Sequence, residues 1–320
     1  MTSITLSAPA KVSLFLKILN KRKDGYHNIL TLFERISLAD VIKITAIPKG
    51  IEISSDKFIT ANPKDNLVYK AAELILKHRR LNRGKEGKKR EYRGVRIRVE
   101  KNIPIAAGLG GGSSDAASIL IGINKLYNLR LKEKQLMKLA KRLGADVPFF
   151  ILKAPFASGT RRGDELKKVN CNKIFWHLII YPGFKLATKD IYEAFDLLIP
   201  RQSSGSNPEL LPKGLTTKRE DVKIHFSVRS SLDSRSLEGI LYNDLEETAI
   251  SKKKVLRSII ERLAYHLGRK AIVSGSGPSV FCLYGRRKEA VAAREKLFRC
   301  VPANERKRWQ IFIAGTESSK

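Results

Sequence analysis

The sequence predicts an α+β fold divided into two domains. Stretches with apolar residues at every second position, typical of strands, occur along the chain together with stretches that repeat apolar residues at helical spacing. A chain of 320 residues can bury a large core and is long enough for two domains. The pattern changes around residues 159–163, so we predict domains of residues 1–163 and 164–320.

Each element follows from the local pattern. Val95, Ile97 and Val99 alternate with charged residues, which predicts a strand. Gly144 is suited to the C-terminal cap of the helix predicted over 132–143. The basic stretch from Lys77 to Arg93 is interpreted as a polar connection. In chain order we expect strands within 4–38, helices over 67–75, 116–126 and 132–143, a strand over 175–181, a largely helical segment over 241–263 and two strands over 271–284.

Residues 104–118 contain four glycines and two adjacent serines between a predicted strand and a predicted helix. Glycine lets backbone N–H groups approach an anion, and the first amides of a helix add partial positive charge. No lysine follows the glycines as in a Walker A loop, and the sixth position from Gly108 is Ser113, which excludes the dinucleotide fingerprint. We therefore predict a phosphate-binding loop of another type.

Composition limits the class of protein. No apolar stretch approaches the roughly 18 residues of a membrane span, and no leader pattern begins the chain. Three separated cysteines and five unpaired histidines favour reduced thiols, a cytoplasmic location and no protein-bound metal. The net charge of +31 lies in runs with few aromatic residues, so we expect solvated surfaces that attract anionic substrates rather than nucleic-acid binding. The oligomeric state is left open.

Lys11 and Asp146 are candidates for a phosphoryl-transfer site. That chemistry needs amides and cations around the phosphates and a group that orients or deprotonates the attacking hydroxyl. Lys11 follows Pro9-Ala10 near the start, and Asp146 lies among apolar residues and a proline, where a carboxylate is fixed and partly desolvated.

Six motifs resemble those of the GHMP kinases, in the same order. They are Pro9-Ala-Lys11, Asp24-Gly-Tyr26-His27, Gly108-Leu-Gly-Gly-Gly-Ser-Ser114, Gly144-Ala-Asp146-Val-Pro148, Asn243-Asp-Leu-Glu246 and Ser274-Gly-Ser-Gly-Pro278. Within that superfamily, Asp24-Gly-Tyr-His27 resembles the family of 4-diphosphocytidyl-2-C-methyl-D-erythritol kinases of the non-mevalonate isoprenoid pathway. The resemblance implies an S5-like ATP-binding N-terminal domain, a ferredoxin-like substrate-binding C-terminal domain and an active site between them.

The resemblance also implies roles for single residues. Asp146 would accept the proton of the substrate's 2-hydroxyl, with Lys11 as its partner, and magnesium would arrive with ATP. Residues implied in ATP binding are Asn66, Lys101, Pro104, Gly108, Leu109, Gly110, Gly111, Gly112, Ser113 and Ser114. Residues implied in binding the cytidyl methylerythritol substrate are Ser13, Tyr26, His27, Thr188, Tyr192, Gly275, Ser276 and Gly277, with the two tyrosines and His27 around cytosine.

Some residues depart from the family pattern. Ser13 stands where many relatives have asparagine, Arg161-Arg162 replaces a more neutral pair, and the basic insertion at 83–93 is not expected. The rival interpretations are another GHMP kinase, of homoserine or mevalonate type, and more remotely a basic RNA-binding protein.

Overall fold

The computed structural model describes residues 2–58, 60, 62–81, 94–198, 216–218, 221–223 and 238–317. The chain forms two compact units, each built from separate stretches. The first comprises Met1–Ala10, Ala39–Ile105 and Gly110–Lys153, and the second comprises Lys11–Leu38, Ala106–Leu109 and Ala154–Lys320. The boundary after residue 163 stays a prediction.

The elements are labelled in chain order. The strands are β1 (Ser3–Lys21), β2 (His27–Ile47), β3 (Ile51–Ser55), β4 (Gly94–Glu100), β5 (Phe156–Thr160), β6 (Glu165–Lys168), β7 (Trp176–Tyr181), β8 (Thr216–Lys218), β9 (Asp221–Lys223), β10 (Tyr242–Asn243), β11 (Ala271–Val273), β12 (Val280–Tyr284) and β13 (Gln310–Gly315). The helices are α1 (Leu67–Leu81), α2 (Gly111–Leu126), α3 (Glu133–Lys141), α4 (Val147–Ile151), α5 (Thr188–Leu198), α6 (Glu246–Lys252), α7 (Val255–Leu267), α8 (Arg287–Cys300) and α9 (Ala303–Arg306).

The first unit contains a sheet and the helices α1 to α4. It contains the start of β1 and the end of β2, with β4 antiparallel to β2 and β3 parallel to β4. The alternation in β4 is the one expected, because Val95, Ile97 and Val99 are fully buried. Helix α2 lies close on the sheet at Gly122, where a Cβ would overlap the side chains of Leu6 and Ile44. A larger residue there would require the ends of these two side chains to move.

The second unit contains the rest of β1 and β2 with β5, β6 and β10, and a four-stranded antiparallel sheet in the order β11-β12-β7-β13. Apolar side chains of β7, β11 and β12 form its core with α5 to α8. The strands predicted over 175–181 and 271–284 are confirmed. The segment predicted to be largely helical over 241–263 is so, and the structure adds that β10 comes first and that Lys253, at φ −144° and ψ 87°, separates α6 from α7.

The connection predicted from Lys77 to Arg93 is wrong at its start, because α1 continues to Leu81. The basic insertion at 83–93 lies outside the described residues. Among the residues that are described, no helix is long and apolar enough to cross a membrane.

Candidate functional site

The predicted phosphate loop joins β4 to α2, in the order that the sequence indicates. Gly108 and Gly110 have φ values of +77° and +71°, a region that favours glycine, and α2 begins directly afterwards at Gly111. A Cβ on Gly108 would also overlap the carbonyl oxygen of Ser274. Glycine is therefore required at both positions. At Gly110 the reason is the backbone conformation, and at Gly108 it is the conformation together with the lack of space for a Cβ.

The first turn of α2 presents polar groups suited to an anion. A Cβ built on Gly112 meets nothing within 4 Å, so the backbone is open to a ligand there. Ser113 is partly buried, while Ser114 is fully buried and its Oγ has no hydrogen-bond partner among the described residues. The unpaired amides of a helix N-terminus and an orphaned hydroxyl fit a phosphate or its counterion.

Lys101 belongs to a buried ion cluster just before the loop. Its Nζ donates to Asp40 and, over 2.8 Å, to Oδ2 of Asp115, and all three side chains are at most 4% exposed. Asp40 also accepts hydrogen bonds at Oδ1 from the backbone N–H groups of Asn102, at 2.6 Å, and Ile103, at 2.8 Å. The cluster thus holds the backbone that leads into the loop.

Burial sets the electrostatics of this cluster. It raises the pKa of Asp115 to about 7, although the Lys101 ammonium opposes the rise. Burial by itself would lower the pKa of Lys101, but the carboxylates of Asp115 and Asp40 together raise it above its ordinary value. Lys101 is therefore a permanent cation whose donors are directed at carboxylates.

Two other residues predicted to bind ATP have structural contacts. Asn66 is buried, and its Oδ1 accepts the N–H of Val68 at 2.9 Å, which caps α1. Pro104 is buried in the turn that follows Ile103.

Lys11 lies in a buried polar group of the second unit. Its Nζ donates to Oγ of Ser13 over 3.0 Å and stands 5.0 Å from the ring centre of Phe33. Its backbone N–H donates to the carbonyl oxygen of Leu109 at 2.9 Å. Ser13, fully buried, donates its own N–H to Oγ of Ser274 over 3.3 Å. The structure therefore brings Lys11 and Ser13 together at the loop segment of this unit.

The third glycine motif braces that segment. Gly275 and Gly277 have positive φ values, and the Ser274 hydroxyl donates to the carbonyl oxygen of Gly108 over 3.1 Å. The amide of Asn243 donates to the carbonyl oxygens of Val273 and Gly275, each at 2.8 Å.

The hydroxyls of Ser276 and Thr188 share a hydrogen bond of 2.9 Å. Thr188 is the first residue of α5, so this bond ties the glycine turn to that helix.

Asp146 lies in the first unit, immediately before α4. It is partly buried, and its carbonyl oxygen accepts the N–H of Phe149 over 3.2 Å. Pro148 in the first turn fixes the backbone that carries it. Its partnership with Lys11 stays a prediction.

Of the residues predicted around cytosine, His27 and Tyr192 are in contact in the second unit. Tyr26 is 55% exposed, with the Arg162 guanidinium 5.1 Å from its ring centre. His27 is buried and stacks on Tyr192, with ring centres 5.1 Å apart and planes at 28°. His27 Nε2 also lies 2.7 Å from Oδ1 of Asp196. An imidazole that is fixed in place and stacked on a tyrosine ring suits the recognition of a flat heterocycle.

Sequence reasoning missed several residues of these clusters. Asp40 belongs to no motif and Asp115 follows the glycine loop without an assigned role, because their pairing with Lys101 appears only after folding. Asp196 could have been noticed four residues after Tyr192, a spacing that places two side chains on the same face of a helix. Within the described part of the chain, no group of three or more acidic, histidine or cysteine side chains is arranged to hold a metal ion.

Comparisons with known proteins agree with this architecture. The GHMP kinases N terminal domain matches residues 66–154, and the GHMP kinases C terminal domain matches residues 230–303. The 4-diphosphocytidyl-2-C-methyl-D-erythritol kinases of Syntrophus aciditrophicus (strain SB) and Syntrophomonas wolfei subsp. wolfei are 35% and 34% identical. Each alignment covers 92% of this chain and 94% of the relative.

A solved structure of a 4-(cytidine 5'-diphospho)-2C-methyl-D-erythritol kinase has a TM-score of 0.71 and 30% identity, covering 98% of both chains. A homoserine kinase from Cytophaga hutchinsonii has a TM-score of 0.69 at 18% identity, covering 99% of this chain and 95% of its own, and shares the fold. The α+β GHMP kinase fold and the family predicted from the motifs are confirmed. The chain belongs to the 4-diphosphocytidyl-2-C-methyl-D-erythritol kinase family of the GHMP kinases.

Proposed function

We propose that the protein transfers the γ-phosphoryl group of ATP to the 2-hydroxyl of 4-diphosphocytidyl-2-C-methyl-D-erythritol. The products are ADP and the 2-phosphate, in non-mevalonate isoprenoid precursor synthesis. The observation that carries the proposal is the likeness, over 94% of their length, to relatives named for this substrate. Family membership also supports ATP as the phosphoryl donor.

The loop from Gly108 to Ser114 binds the ATP phosphates through backbone amides at the start of α2. The positive φ values of its glycines and the open space at Gly112 support this role. Magnesium, which prefers oxygen ligands and keeps waters, accompanies ATP, and the orphaned Oγ of Ser114 fits it or a phosphate oxygen. When bound, the ion neutralises phosphate charge. Lys101, occupied by two carboxylates, shapes the approach to the loop.

Asp146 orients the substrate hydroxyl and accepts its proton, and Lys11 favours the ionised carboxylate. An alcohol is a poor acid, so the carboxylate is a transient acceptor and assistance of about 10²- to 10⁴-fold is the expected range. The partly buried position of Asp146 and the fixed, buried ammonium of Lys11 support these roles.

The second unit binds the cytidyl substrate. Tyr26, His27 and Tyr192 hold cytosine, supported by the exposed Tyr26 ring and the stack of His27 on Tyr192. Ser13, Thr188, Gly275, Ser276 and Gly277 contact the rest of the substrate, supported by the bonds that join Ser13 to Ser274 and Thr188 to Ser276.

The protein acts in the cytoplasm, without nucleic acid as a partner. All three cysteines are free, which is typical of a reducing compartment.

Turnover with a panel of acceptors tests the proposal. ADP release is measured with ATP and magnesium and with the cytidyl substrate, homoserine or mevalonate. We expect turnover with the cytidyl substrate and a loss of about 10²- to 10⁴-fold in kcat for Asp146→Asn, because the amide cannot accept the proton. The control Glu133→Gln removes an exposed carboxylate from the first turn of α3 and keeps full activity.

Turnover with homoserine or mevalonate alone would support the rival kinases. Absence of any turnover, which the RNA-binding alternative predicts, would refute the kinase proposal, and full activity in Asp146→Asn would refute the role of that acid.

A further inference from the structure

Helix α5 holds the imidazole of His27 by three side chains. His27 Nε2 lies 2.7 Å from Oδ1 of Asp196, its face stacks on Tyr192, and its edge meets Phe195 with ring centres 6.4 Å apart. The His27 side chain is 5% exposed. The ring therefore has one orientation, with Nε2 directed at the carboxylate.

The Asp196 carboxylate acts only as an acceptor. Burial raises its pKa, but hydrogen bonds from Lys21 and His27 outweigh burial and hold the pKa below its usual range, so the group is ionised at neutral pH. Lys21 Nζ, 2.6 Å from Oδ2, supplies a cation to the same carboxylate. The hydrogen on the imidazole must then lie on Nε2, because an ionised carboxylate cannot donate one.

A neutral imidazole with hydrogen on Nε2 has an acceptor at Nδ1. His27 Nδ1 makes no hydrogen bond to any residue that the structure describes. It is therefore an acceptor available to a ligand, in the cluster of aromatic rings that suits a flat base.

We propose that Asp196 is a positioning residue that fixes the tautomer of His27 and so makes the base site select cytosine over uracil. The inference rests on the proposed function, since it assigns the base to this cluster. Cytosine carries an exocyclic amino donor where uracil carries a carbonyl acceptor. Aromatic stacking accepts either base, because both have π-faces. The Nδ1 acceptor of His27 can accept a hydrogen bond from the amino group of cytosine. With uracil, the carbonyl oxygen would face the Nδ1 lone pair, and no hydrogen bond could form.

Nucleotide affinities test the inference without turnover. Calorimetry with CDP and UDP at pH 8, where a free imidazole is neutral, should give CDP the tighter binding by about tenfold to a hundredfold, the effect of one unsatisfied polar contact. In Asp196→Asn the amide either donates or accepts, so both tautomers form and the ratio of the two Kd values falls toward one. Glu193→Gln makes the same change on the same helix, at a residue that pairs with Lys189, and keeps the wild-type ratio.

If the role of Asp196 is only structural, Asp196→Asn should weaken the binding of CDP and UDP equally and leave the ratio of the two Kd values unchanged. That result would overturn the inference. Nitrogen-15 NMR of the wild-type imidazole is an independent check that needs no variant to fold. Hydrogen on Nε2 supports the inference, and hydrogen on Nδ1 overturns it.

The two proposals can fail separately. Wild-type turnover of the cytidyl substrate with equal affinity for CDP and UDP would overturn the tautomer inference alone. Absence of turnover with unequal nucleotide affinities that Asp196→Asn equalises would overturn the proposed reaction and support base selection.

Discussion

Two clusters in this protein pair a lysine with a carboxylate in different surroundings. Lys101 with Asp40 and Asp115 is almost completely buried in the first unit. Lys21, Asp196 and His27 form the other cluster in the second unit, where Lys21 is 57% and Asp196 25% exposed. Water screens the second cluster and is excluded from the first.

The difference teaches that burial decides what an ion pair does. A buried pair contributes little net stability when formed, but loss of one partner leaves a charge without compensation. The Lys101 cluster therefore fixes the backbone before the phosphate loop. A half-exposed pair contributes little to folding, so the Lys21 cluster can serve recognition.

Replacement of the lysine in each cluster should give the largest contrast. Lys101→Met leaves two buried carboxylates without their cation and should lower the free energy of unfolding by about 3–5 kcal/mol. Lys21→Met should lower it by about 1 kcal/mol or less, because solvent already screens that pair. Urea unfolding followed by circular dichroism measures both, and equal losses would contradict the contrast.

The pH dependence of stability should report Asp115. Its folded pKa of about 7 exceeds its ordinary value of 3.8, so the folded protein binds this proton more tightly than the unfolded chain does. Its stabilising contribution is full below about pH 4 and is lost as the pH rises to about 7. The wild type should therefore lose stability relative to Asp115→Asn over this window, by an amount on the order of 2–4 kcal/mol.

Urea unfolding at several pH values measures that difference. Asp65→Asn, at an exposed acid, is the matched control and should show no comparable change over the window. A difference between wild type and Asp115→Asn that does not vary from pH 4 to 7 would be inconsistent with a raised pKa.

Removal of the Tyr26 ring should have the smallest effect, confined to binding. Tyr26→Ala should weaken CDP and UDP alike by about 1–3 kcal/mol, since stacking does not distinguish bases. The free energy of unfolding should change by about 0.5 kcal/mol or less, because the ring is 55% exposed. Calorimetry measures the affinities of Tyr26→Ala for CDP and UDP. Tyr265→Ala, which removes a ring that is 86% exposed on α7, is the matched control. Unchanged CDP affinity in Tyr26→Ala would exclude this ring from the base site.

Local patterns predicted much of the fold, and local interactions explain why. Alternation in β4 and helical spacing in α2 depend on neighbours along the chain, so both elements and the loop between them could be predicted. The division of residues 241–263 into β10, α6 and α7 could not, because apolar spacing does not register the break at Lys253.

The sequence alone determined the family, and it predicted the phosphate loop and the roles of Lys11, Asp146 and Tyr26, because these depend on residue types in contiguous motifs. Only the tertiary structure decided the partners of Lys101 and His27. Asp40 precedes Lys101 by 61 positions and Asp196 follows His27 by 169, so no local pattern joins them. Burial and hydrogen-bond direction are properties of the folded chain, and they favour a structural role for the Lys101 cluster and support the role in recognition that we propose for the His27 cluster.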